Sequence, residues 1–193
     1  LWKKDVYGIL SGSQPGGFIV YDGLLYLLDP ANTLHTFNIY SGDPIWTYVS
    51  GLDYWSPVDL PAIADGVVYF GVSQGDFCNL VALDVANQTP KWSIGFKSGL
   101  NQAITNQVVL GDRLVYFWYV DEDLGGICAL YAVAKSDGTI KWRRITGPKP
   151  FFGSSGQNSW ASGQVVYRSL DSGGMLYMVT GYDDRILYAL DAE

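Results

Sequence analysis

Ala82-Leu83-Asp84-Val85-Ala86-Asn87-Gln88-Thr89-Pro90-Lys91-Trp92 runs from an apolar strand through a polar turn and out to a tryptophan, and the same order recurs along the chain. Thr36-Phe37-Asn38 leads through Ser41-Gly42 to Trp46, Ala132-Val133-Ala134 leads through Asp137-Gly138 to Trp142, and Ala189-Leu190-Asp191 begins a fourth copy. With Trp2, the tryptophans stand at intervals of 44, 46 and 50 residues. A period of roughly 40 to 50 residues is that of a β-propeller blade.

Upstream of each copy lies a tyrosine in an apolar strand that follows a glycine-containing turn: Tyr26, Tyr69, Tyr116 and Tyr177. In the second copy, Ala62-Ile63-Ala64, Val67 to Val72, Asn79 to Asp84 and Lys91 to Ile94 make four short strands separated by Asp65-Gly66, a loop and a polar turn. Strands at this spacing with turn residues between them read as consecutive antiparallel hairpins. Sheets packed face to face are apolar on both sides, which explains runs in place of clean alternation. The turn before each tryptophan needs a residue tolerant of positive φ, supplied by Gly42 and Gly138. Trp2, Trp46, Trp92 and Trp142 are therefore expected to be structural, each folding back over the turn of its own blade and filling the wedge between blades.

Bulk properties agree. The 193 residues are 48% hydrophobic and 16% charged, with 23 glycines, 14 tyrosines and 7 tryptophans, a composition that suits an all-β domain with a real core. A net charge of −7 and few, scattered cations leave no stripe for a phosphate backbone, so nucleic acid is excluded as a partner. No apolar run approaches the roughly 20 residues of a membrane-spanning helix. Low lysine, abundant tyrosine, glycine and serine, and an Asn87-Gln88-Thr89 sequon followed by Pro90 point to an extracellular, cell-surface or periplasmic setting.

The motif Ala-Leu-Asp, two residues, Thr-Gly, three residues, Trp resembles the repeat of pyrroloquinoline-quinone-like (PQQ-like) β-propellers. The chain departs from it at Asn38 and Ala134, which replace the aspartate, and at Asn87-Gln88, which replaces Thr-Gly. The resemblance implies one propeller domain of four-stranded antiparallel blades over 1–193, with repeats near 6–49, 50–97, 98–147 and 148–193 and residues 1–5 as an outer strand. Rings of this kind close with about seven or eight blades, so a part of a larger ring, completed by additional blades or by self-association, is favoured over a closed ring of four. Uncovered apolar blade faces would demand that completion.

Quinone-dependent dehydrogenases of this fold hold PQQ and calcium near the axis beneath an adjacent-cysteine disulfide, and this sequence has no Cys-Cys pair. Cys78 and Cys128 each stand four residues before the motif, in neighbouring blades, where Cα atoms are expected to lie beyond the ~7 Å limit for a disulfide. Free, buried thiols are expected. Asp121-Glu122-Asp123 could offer calcium its oxygen ligands, yet adjacent carboxylates before Gly125-Gly126 read first as a solvated turn, and no metal or cofactor is predicted. His35, the only histidine, has no neighbouring cysteine or serine elbow and is expected to be a surface or satisfied side chain.

Aromatic residues outside the repeat position remain. Trp118 lies mid-strand and is expected to plug the space between blades, whereas Tyr54, Trp55 and Trp160 fall in inter-blade connections and are the expected partner surface. The functional expectation is a non-catalytic scaffold that binds a protein through its rim loops. The alternatives are a piece of a PQQ-dependent dehydrogenase whose ligands lie in other blades, and a propeller that binds carbohydrate through exposed tryptophans.

Overall fold

The computed structural model describes residues 2–3, 17–51, 60–74, 77–97, 105–121, 127–145, 165–170, 173–179 and 187–192. Every regular element among them is a β-strand. The strands are β1 (Gly17–Tyr21), β2 (Leu24–Leu28), β3 (Thr33–Asn38), β4 (Pro44–Val49), β5 (Ala62–Ala64), β6 (Val67–Gln74), β7 (Phe77–Asp84), β8 (Thr89–Lys97), β9 (Thr105–Leu110), β10 (Leu114–Asp121), β11 (Ile127–Ala134), β12 (Ile140–Ile145), β13 (Val165–Leu170), β14 (Gly173–Val179) and β15 (Leu187–Asp191). They form four antiparallel sheets in strict sequence order, β1 to β4, β5 to β8, β9 to β12 and β13 to β15. Each sheet is one blade, so the all-β propeller architecture expected from the repeat is present.

Local chemistry sets the hairpins. Asp22-Gly23 and Asp65-Gly66 both carry positive φ at the two central positions, the two-residue turn whose twist matches the flanking strands. At the turn between third and fourth strands a left-handed residue recurs: Gly42, Gln88 and Gly138, each donating its N–H to a carbonyl four residues back, on Asn38, Asp84 and Ala134. The motif's aspartate position has a visible task. Asn38 Oδ1 accepts from the N–H groups of Tyr40 and Ser41, and Asp84 Oδ1 accepts from that of Asn87. Ala134 has no such acceptor, and in its turn Asp137 Oδ1 accepts from the N–H of Thr139, as Ser41 Oγ accepts from that of Asp43 in the first blade. The loose copies of the motif thus keep the same turn, with the backbone bond from the left-handed residue present in all three.

Blades stack face on face. Tyr26, Leu28 and Leu34 of the first pack against Val68, Phe70, Val81 and Leu83 of the second. Tyr69, Leu80 and Ala82 of the second meet Phe117, Tyr131 and Val133 of the third. Tyr116, Trp118 and Leu130 of the third meet Leu176 and Met178 of the fourth. Trp118 is buried in that last interface, as its mid-strand position suggested. The innermost strands touch in series, β1 on β5, β5 on β9 and β9 on β13.

The repeat tryptophan departs from expectation in its target. Trp92, in the second blade, donates its indole N–H to Lys135 O at 2.9 Å in the third blade, and a Cβ added to Gly138 would lie 2.8 Å from the Trp92 ring. It covers the turn of the next blade, not of its own. The reason is the direction of the side chain: a residue opposite Ala82 on the outermost strand points across the widening gap toward the following sheet, where Tyr69 and Ile94 accompany it. Glycine is required at 138 because the ring occupies the space of its missing side chain as well as because φ is +74°.

Candidate functional site

Antiparallel hairpins divide the stack into two ends. One end carries only short turns, at 22–23, 39–43, 65–66, 85–88, 111–113 and 135–139. The other receives the β2 to β3, β4 to β5, β6 to β7, β8 to β9, β10 to β11, β12 to β13 and β14 to β15 connections, of which 50–61 and 146–164 are the longest. Tyr54, Trp55, Glu122, Asp123 and Trp160 lie outside the described residues, but the strand ends that flank them all emerge at this second end. Asp121 is the last residue of β10, paired with Ile127, at the same end.

Among the described residues there, Asp29 and His35 form a pair. Asp29 is buried, its Oδ2 lies 2.8 Å from His35 Nε2, and its Oδ1 accepts from the N–H of Thr33 at 2.8 Å. His35 also stacks against Phe37, with ring centroids 6.4 Å apart. Both oxygens of the carboxylate serve the β2 to β3 loop, so the lone histidine is a satisfied structural side chain, as expected. Cys78 is fully buried. The Cys128 side chain lies outside the described residues, although its backbone holds the equivalent place in β11.

At the short-turn end the sequence reading missed a polar clamp between the third and fourth blades. Asp112 Oδ2 accepts from the Ser169 hydroxyl at 2.9 Å, and with the Tyr167 hydroxyl this bond holds the Asp112 carboxyl below the usual carboxylate range. Desolvation first, and then the bond to Asp112, push the Tyr167 phenol up. Tyr167 stacks on Tyr116 at 6.0 Å and lies over Gly174, whose missing side chain makes the room. Tyr116 in turn donates its hydroxyl to Ala192 O at 2.8 Å. Asp112, Arg113, Lys135, Lys141, Tyr116 and Tyr167 border a cavity of ≈ 660 Å³. An aspartate kept ionised by two hydroxyl donors is a fastener and a poor base. No pattern in the sequence marks it, because Asp112 and Ser169 are 57 residues apart, more than one repeat.

A second cavity of ≈ 440 Å³ opens between the second and third blades beside Phe96, Lys97, Tyr119, Tyr131 and Arg143. Phe96, Phe117, Tyr119 and Tyr131 make a four-ring cluster there, with centroids 4.9 to 5.7 Å apart. The Tyr119 hydroxyl donates to Lys97 O and Arg143 to the Tyr131 hydroxyl, which ties each phenol to a strand edge. Among the described residues no three His, Cys, Asp or Glu side chains come together as a metal site.

No protein-family model matches the chain, and no curated protein matches it. Solved structures do. A quinohemoprotein alcohol dehydrogenase, ADHIIG from Pseudomonas putida HK5, is similar over 95% of this chain and 33% of its own, with a TM-score of 0.67 and 19% identity. The quinohemoprotein alcohol dehydrogenase from Comamonas testosteroni is similar over 71% of this chain and 22% of its own, with a TM-score of 0.57 and 22% identity. The computationally designed Ika4 protein is similar over 95% of this chain and 96% of its own, with a TM-score of 0.59 and 13% identity. The fold is thus the propeller fold shared with quinoprotein dehydrogenases, and the chain spans about a third of the length of the first of them. Among the described residues no helix is long and apolar enough to cross a membrane.

Proposed function

We propose that this chain is a non-catalytic propeller scaffold of the PQQ-like repeat type, acting in an extracellular, cell-surface or periplasmic setting and docking a protein partner with its long-connection end. The observation that carries the reading is the asymmetry of the stack. Short turns close one end, while the longest connections, 50–61 and 146–164, leave from and return to the other. Aromatic side chains in connections anchored by a rigid sheet stack are the arrangement in which binding surfaces recur. The described polar groups support the same view, since Asp29, His35, Asp112 and Tyr167 are engaged with one another or with turns.

A photo-crosslinking amino acid at position 55 or 160, introduced into the native host, tests it. Both positions are expected to capture one common protein, and position 65 or 141 at the short-turn end is expected not to. The competing reading, a segment of a quinone-dependent dehydrogenase, draws on the fold likeness alone. Stoichiometric binding of PQQ with calcium to this chain in a fluorescence titration would decide for it and against the scaffold.

A further inference from the structure

The outer wall of the second and third blades carries a charge opposite to that of the chain as a whole. β8 and β12 hold Lys91, Lys97, Lys141, Arg143 and Arg144, five of the 12 cations in a chain of net charge −7, and none of its 19 carboxylates. All five are exposed. β4, the corresponding strand of the first blade, has no charged residue at all. Cations on an outer strand guard a sheet edge against unwanted pairing. Guarding does not require a single sign, however, and solubility is served as well by interspersed charges.

At the short-turn end the positive charge is already answered. Lys91 stands near Asp84, Lys141 near Asp137, and Lys135 and Arg113 near Asp112, each favouring the charged form of the carboxylate beside it. Lys97, Arg143 and Arg144 lie farther along the same two strands, toward the long-connection end. Two of them rest on aromatic side chains: Arg143 donates to the Tyr131 hydroxyl at 3.4 Å, and the Arg144 guanidinium lies 5.2 Å from the centre of the Trp142 ring. Guanidinium groups held in this way lose less freedom when they meet an anion.

The ≈ 440 Å³ cavity opens between these two strands, bordered by Lys97 and Arg143 and with no carboxylate among its described lining residues. Its floor is almost sealed, since Phe96, Tyr119 and Tyr131 are 8%, 3% and 4% exposed, whereas Ile140 at its rim is 49% exposed. A small molecule needs most of its surface enclosed, which so shallow a floor does not provide. An extended polypeptide lying along strand edges needs only alternating contacts, some of its side chains meeting cations and others an apolar rim.

We infer that the groove between β8 and β12 is a docking site for an acidic polypeptide segment of a partner protein, whose carboxylates meet Lys97, Arg143 and Arg144 while an apolar side chain rests on Ile140. Complementary charge steers such a segment to the one basic strip of an otherwise acidic chain and selects against basic competitors. The site lies on the outer wall, apart from the long-connection loops, and is independent of what those loops bind.

Panning a phage-displayed library of random peptides against the chain tests it. The recovered peptides are expected to be rich in Asp and Glu with apolar residues between them, and a synthetic copy of the most enriched one is expected to bind Lys97→Glu and Arg143→Glu about tenfold or more weakly than the parent. Its affinity should also fall as salt is raised. Both residues are exposed, so both variants should keep the parent's circular dichroism, and Arg144→Glu replaces either one that does not. The double variant Lys97→Glu with Arg143→Glu is expected to prefer the same peptide with every Asp and Glu exchanged for Lys. Recovery of no peptide, of peptides without acidic residues, or of peptides that bind the charge-reversed variants as well as the parent overturns the proposal. Binding that emerges only after Asp121, Glu122 and Asp123 are changed to Asn, Gln and Asn also overturns it, by giving the groove to the chain's own acidic segment. So does a preference for heparin over every acidic peptide, which would make the wall a polysaccharide surface.

Discussion

Replacing Gly138 by alanine places a methyl carbon 2.8 Å from the Trp92 ring and 3.0 Å from Ile94 Cγ2, at a backbone φ of +74°. The left-handed conformation costs an L-residue about 1 to 2 kcal/mol, and overpacking against a rigid indole costs about 1 to 3 kcal/mol more. A total near 3 kcal/mol is expected for Gly138→Ala. Trp92→Ala removes the bond to Lys135 O, worth about 1 kcal/mol, and the half of the indole that is covered, on the order of 100 Å² at about 25 cal/mol per Å². It is expected to cost about 3 kcal/mol. In the double variant the methyl group meets no ring, so Gly138→Ala costs only its backbone part. The two changes should therefore fall short of additivity by about 2 kcal/mol. Guanidinium unfolding followed by far-ultraviolet circular dichroism, which does not depend on the deleted tryptophan, measures all four corners of the cycle. Additivity to within ~0.5 kcal/mol would refute the placement of Trp92 over the next blade's turn.

Three further outcomes are expected. Tyr116→Phe leaves Ala192 O without its buried donor and should lower stability by about 1 kcal/mol, read as a lower thermal midpoint, with no change in the Trp92 cycle. Asp84, Asp112 and Asp137 are held below the ordinary carboxylate value, by the Asn87 N–H, the Ser169 hydroxyl and the Thr139 hydroxyl first in each case. Their stabilisation is present above the unfolded value of 3.8 and lost as pH falls from there through the folded values, so the denaturant midpoint should drop below about pH 4 and drop less in Asp137→Asn. Burial pushes the phenols of Tyr26, Tyr48 and Tyr69 above 10.0. Stability should be intact below that value and decline as pH rises through the folded values, and a spectrophotometric titration should show a late-titrating class that disappears in denaturant.

The blades were legible in the sequence because nearly everything that makes a blade is local. Asp22-Gly23 and Asp65-Gly66 turn strands that are a few residues apart, and Trp46, Trp92 and Trp142 fall opposite Thr36, Ala82 and Ala132 at a fixed distance within one repeat. Hairpin pairing between neighbours needs only turn chemistry and apolar strands, both written in the order of residues.

What the tertiary structure alone decided is how one blade uses the next. Trp92 reaches Lys135 and Gly138 across 43 residues or more, and Asp112 reaches Ser169 across 57, by virtue of stacking that no local pattern encodes. The clearest case is a pair of residues that the sequence treats as equals: Leu130 and Leu187 hold the same repeat position, and one is sealed while the other is 69% exposed. Burial in a stacked array is conferred by the neighbouring sheet, so the same side chain is core or surface according to whether a further blade stands against it.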